Sequence, residues 1–136
     1  ARSMKLTRQV SSVFYQDLAA AKQFWVDYLQ FLVVHEEEQL CVVQRDAVAF
    51  HLMVGPNYTK DLEPLVRIET DDIKAVWDDL QKRDAQGKYK HARFPDGPER
   101  RPWGAQEFAV GDEKVCLVFQ QWESGCGSQP AAAAAE

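Results

Sequence analysis

Apolar residues at Leu18, Ala21, Phe24, Trp25, Tyr28 and Leu29 recur at spacings of three and four, which predicts a helix with one buried stripe. Asp17 stands just before it, placed to accept hydrogen bonds from first-turn amides. Residues 9–14 ahead of the helix have the composition of a strand. After it, residues 31–34, 40–43 and 48–54 are short β-branched or apolar runs, separated by the polar stretches 36–38 and 44–46, which read as turns.

The pattern then begins again. Residues 65–69 predict a strand, and Asp71 or Asp72 caps a helix that carries Ile73, Val76, Trp77 and Leu80 on one face and ends near residues 84–87. Three further strands are predicted at 89–94, 101–110 and 115–119, around the turn-rich residues 95–98 and 111–114. Strand, helix, three strands therefore occurs twice. The fold class expected is α+β, with a first βαβββ module at 8–56, a linker at 57–63 and a second module at 64–122. Residues 1–7 read as an expression scar and lead, and 123–136, small, polar and ending in alanines, as a flexible tail. Neither half can cover both faces of its own sheet, so pairing of halves, within or between chains, is expected, and with it a homodimer.

Composition narrows the partners. A net charge of −5 with no basic stripe argues against nucleic acid. No apolar run approaches the length of a membrane helix, so no membrane partner is expected. Cys41, Cys116 and Cys126 have neither metal-like nor disulfide-like spacing and read as reduced thiols of a cytoplasmic protein.

The candidate chemistry is sparse. His35, His51 and His91 share no metal-site spacing. His51, in a strand between Ala49 and Met53 on one face, reads either as a hydrogen-bonded edge histidine or as a polar anchor in an apolar cleft. Glu69 and Glu107 fall within strands opposite their apolar neighbours, either facing solvent or placing charge beside a bound cation. Trp25 and Trp77 belong to helix stripes, whereas Trp103, after Pro102 and before Gly104, either fills a core or lines a cleft. Tyr58 lies in the polar connector and either closes over something or covers a neighbour. No serine or cysteine sits in a glycine-flanked elbow and no glycine-rich loop joins a strand to a helix, so nucleophilic catalysis and phosphate binding find no support.

The doubled module, the segment from Asp17 through Phe24-Trp25 to Phe31, and the strand Arg101-Pro102-Trp103-Gly104 to Val110 resemble the glyoxalase, bleomycin-resistance and dioxygenase group, the vicinal oxygen chelate superfamily. The Pro-Trp-Gly strand is most similar to the bleomycin-resistance branch. The resemblance implies two modules forming a curved mixed sheet around a cleft, helices outside, and a homodimer, domain-swapped or not. It places the metal ligands of the family's enzymes at Val10, His51, Leu65 and Val118, of which only His51 can bind a metal; a one-residue shift brings in Gln9, Ser11 or Arg67 and does not help. No metal and no other cofactor is therefore expected, and a binding protein is favoured over an enzyme. The ligand-binding residues implied are Trp103 as a stacking surface, Phe14, Met53 and Val118 as apolar walls, His51, Arg67 and Glu107 as orienting polar groups, and Ser12 and Tyr58 nearby. The ligand expected is an aromatic, cationic or peptide antibiotic, sequestered without chemistry. The alternatives are a divalent-metal glyoxalase, dioxygenase or thiol transferase, or an accessory or carrier protein of a biosynthetic pathway.

Overall fold

The computed structural model describes residues 4–55, 64–84, 91–93, 97–112 and 114–123 of the chain. The chain divides into two units, Ala1–Asp61 and Leu62–Glu136. Tyr58 and the residues around it, like most of the predicted tail, lie outside the described residues.

In the first unit, β1 (Ser11–Tyr15) leads into α1 (Leu18–Lys22), which continues as a π-helix (Gln23–Tyr28), followed by β2 (Leu32–Glu37), β3 (Leu40–Arg45) and β4 (Val48–Val54). The sheet order is β1-β4-β3-β2, with β1 parallel to β4 and the other pairs antiparallel. Asp17 caps the helix as expected, its Oδ1 accepting from Ala19 N at 2.8 Å. The π-geometry shows at Leu29, whose N–H donates to the Phe24 carbonyl five residues back at 2.9 Å.

Period two sends Val13, Tyr15, Cys41, Val43, Phe50 and Leu52 towards the helix, and all six are buried. Trp25, with no exposed surface, lies at the centre of this core: its ring centroid is 4.4 Å from Phe50, 5.2 Å from Phe31 and 5.5 Å from Phe24. Its indole N–H donates to the Tyr15 hydroxyl at 2.9 Å, which satisfies a polar group that burial would otherwise strand. Burial pushes the Cys41 thiol up from its ordinary value, Lys22 opposing the shift and Glu36 adding to it. Lys22 and Glu36 form an ion pair, and the lysine is held above its usual range first by that hydrogen bond.

One expectation changes here. Glu36 and Glu37, read from their charge as a turn, continue β2, and the turn falls at residues 38–39. Every residue of β2 is exposed, so this outer strand accommodates the carboxylates without burying them.

The second unit repeats the order with β5 (Leu65–Glu69), α2 (Ile73–Asp84), β6 (Glu99–Arg100), β7 (Ala105–Gly111) and β8 (Cys116–Trp122). Its sheet runs β5-β8-β7-β6, with β5 parallel to β8. Asp72 begins the helix, accepting from Ala75 N at 3.1 Å, while the Gln121 side chain accepts from Ile73 N and donates to the Asp71 carbonyl. These contacts satisfy first-turn groups that the helix cannot pair itself. Trp77 of α2 meets Phe108 edge-on at 5.1 Å, and Phe108 stacks on Phe119 at 5.2 Å. Gly97, at φ +95°, passes so close to this layer that a Cβ would lie 3.2 Å from the Trp77 ring.

Residues 91–93, the described part of the strand expected at 89–94, do lie antiparallel to β7: Ala92 bridges Val110, Arg93 N donates to the Ala109 carbonyl and Gly111 N to the His91 carbonyl. Two expectations fail in this unit. The first failure is the charged pair Glu99–Arg100, which also pairs with β7, opposite Glu107 and Gln106, in a stretch expected to be loop. Trp103 also does not begin β7: it sits in the turn before it, and Gly104 at φ +92° separates the two.

Candidate functional site

Because Phe108 and Phe119 point to α2, alternation sends Ala105, Glu107 and Ala109 of β7 and Cys116, Val118, Gln120 and Trp122 of β8 to the opposite face. Leu65, Arg67 and Glu69 of β5 share that face through the register Arg67 to Val118 and Glu69 to Gln120. At the turn between β7 and β8 the Asp112 side chain accepts from Lys114 N and Val115 N, and the register that follows sets Gly111 opposite Cys116 and Ala109 opposite Val118.

Strand pairing sets Glu69, Gln120, Glu107 and Glu99 in one row across the sheet. Glu107 is 2% exposed and Gln120 4%. Burying a carboxylate in this way costs several kcal/mol unless it is hydrogen-bonded and compensated. Both conditions are met: Glu107 Oε2 accepts from the Trp103 indole Nε1 at 2.9 Å and from Gln120 Nε2 at 2.7 Å. Arg67 Nε lies 3.7 Å from the same oxygen and Arg101 Nε 3.9 Å from Oε1, close enough to balance charge and too far to hydrogen-bond.

Above this carboxylate Trp103 is 48% exposed. Its N–H is occupied, so what the side chain offers a ligand is its ring. A second indole behaves alike: Trp122 Nε1 donates to Glu69 Oε2 at 3.1 Å. The face thus combines tethered indoles, an exposed guanidinium at Arg67 and a buried acid. Among the expected site residues, Trp103, Arg67, Glu107 and Val118 come together here. Gln120, Arg101, Glu99 and Trp122 complete the set. Extending the period-two pattern past Gln120 finds Trp122, whereas Glu99 has no strand signal of its own.

Ser12, Phe14, His51 and Met53 belong to the first unit. They lie on the face of its sheet away from the helix, with Ser12 beside His51 and Phe14 beside Met53 in the β1–β4 register. His51 is half-buried and Ser12 exposed.

Residues 8–117 match the profile of the Glyoxalase/Bleomycin resistance protein/Dioxygenase superfamily. The chain belongs to this superfamily. No curated protein sequence matches it. Among solved structures, it is similar to the bleomycin-binding protein from bleomycin-producing Streptomyces verticillus complexed with copper(II)-bleomycin, with a TM-score of 0.69 at 21% identity, covering 89% of this chain and 100% of that one. An antibiotic binding protein from a Streptomyces species gives 0.65 at 22% identity, over 89% and 100% of the two chains. Lactoylglutathione lyase from Agrobacterium tumefaciens gives 0.64 at 16%, over 87% and 95%. At these identities the likeness shows the fold.

Of the four positions at which the resemblance places metal ligands only His51 carries a metal-binding side chain, and among the described residues no group of three His, Cys, Asp or Glu could hold a metal ion.

Proposed function

We propose that this superfamily member binds and sequesters a planar or amphipathic natural product of antibiotic type. The observation that carries the reading is the half-exposed Trp103 ring, fixed by its N–H to a buried carboxylate and flanked by Arg67. It is an aromatic platform with a few placed polar groups, the composition of a small-molecule site. The similarity in fold to bleomycin-binding and antibiotic-binding proteins supports it.

Titration with bleomycin is expected to quench tryptophan fluorescence saturably, with a Kd of about micromolar or tighter. No saturable change up to about a thousandfold higher concentration sinks the reading for this drug class. Stoichiometric zinc, nickel, manganese or iron in protein purified without chelator would replace it with a metal-dependent enzyme.

The working form proposed is a homodimer. Leu32, Val33 and Val34, exposed by 70%, 40% and 54% on the outer strand β2, are the apolar surface that association would cover. Light scattering at micromolar concentration should report twice the chain mass; a monomer there rules the dimer out.

A further inference from the structure

We infer that Glu107 is a positioning residue for Trp103: it fixes the plane of the exposed indole and does not itself touch the ligand. The inference rests on the proposal that Trp103 is the stacking platform. Trp103 sits in a turn next to a glycine in the left-handed region, and nearly half of its surface is free. An indole so placed exchanges among rotamers unless something holds it.

The hold comes from below. Glu107 lies within β7, paired on one side to β6 and on the other to β8, so its own backbone is fixed. Gln120, its direct neighbour on β8, donates to the same oxygen that accepts the indole N–H and so orients the carboxylate. A leucine at position 107 would avoid the desolvation cost of a buried acid, so stability alone does not account for a carboxylate at this point of the strand. Ordering the ring before binding removes an entropic cost that the ligand would otherwise carry. The 2% exposure of Glu107 leaves almost no surface for direct contact.

Three variants separate the roles. Glu107→Gln keeps an oxygen that can accept both donations, Glu107→Leu removes it, and Trp103→Phe keeps a ring but has no N–H to hold. The first measurement needs no ligand: hydrogen exchange of the Trp103 indole N–H, followed by nitrogen-15 NMR. In the unsubstituted protein it should be slow for a half-exposed ring, in Glu107→Leu about tenfold faster or more, and in Glu107→Gln close to the original rate. Unchanged exchange in Glu107→Leu overturns the inference.

The second measurement uses bleomycin. Glu107→Leu should weaken binding about tenfold in the original background and less than about twofold in the Trp103→Phe background, because the effect passes through the indole N–H. A penalty that persists undiminished in the Trp103→Phe background makes Glu107 a direct ligand contact and overturns the inference. If the unsubstituted protein does not bind bleomycin, the sequestration reading for that drug falls, and indole exchange still decides whether Glu107 holds the ring. Should Glu107→Leu fail to fold, Gln120→Leu, which frees the carboxylate to turn, is expected to speed indole exchange as well, and unchanged exchange there overturns the inference.

Discussion

Trp103→Ala should raise the Kd for bleomycin about thirtyfold, a loss of about 2 kcal/mol typical of an aromatic anchor in a binding hot spot. The ring supplies the apolar area against which a planar ligand packs, and alanine removes nearly all of it. Stability should change little, within about 0.5 kcal/mol, because the side chain is half exposed and Glu107 keeps its bond from Gln120. Titration followed by calorimetry, which does not depend on tryptophan emission, separates lost affinity from lost signal. Saturable binding at the original affinity would remove Trp103 from the site.

The largest loss of stability is expected from Trp25→Ala, about 3–5 kcal/mol, the range for deleting a buried aromatic that leaves a cavity. Three aromatic rings pack on this indole and its N–H reaches Tyr15, so one substitution weakens the contact between helix and sheet at several points. Trp25→Phe isolates the hydrogen bond and should cost less, with the bond itself worth about 1 kcal/mol. Urea unfolding gives the total, and native-state hydrogen exchange assigns it to the first unit. A loss below about 1 kcal/mol for Trp25→Ala would contradict the packing described for this core.

These two tryptophans also mark how far the sequence could be read. Trp25 was legible as core because spacings of three and four leave a helical residue one direction in which to point, and the structure buries Ala21, Phe24, Trp25, Tyr28 and Leu29 together. The doubled module was legible for the same reason, since each amphipathic element repeats in order. Trp103 left two readings open because its environment depends on Gly104, whose positive φ breaks the alternation between the tryptophan and β7. The link to Glu107 followed from neither period: it needs a turn that folds an indole back over the strand. Glu99 and Arg100 escaped notice because β propensity reflects a fit to a half-buried pleated surface, and two charged residues carry no such signal. The carboxylates of β2 misled in the opposite direction, their charge suggesting a turn where an outer strand simply leaves them in water.

The π-helix of Gln23–Tyr28 has a consequence for how relatives are compared with this chain. A bond reaching back five residues encloses one residue more than an α-helical turn, so the segment holds one amino acid beyond what an α-helix would need over the same path. Exposed Gln23 and Asp27 bracket the buried Phe24 and Trp25, so the surplus can be taken up on the solvent side. Chain length can therefore vary by one residue here while the start of β2 stays in place. An alignment gap against a shorter relative belongs inside residues 23–28, where it leaves the strand registers of the first sheet undisturbed.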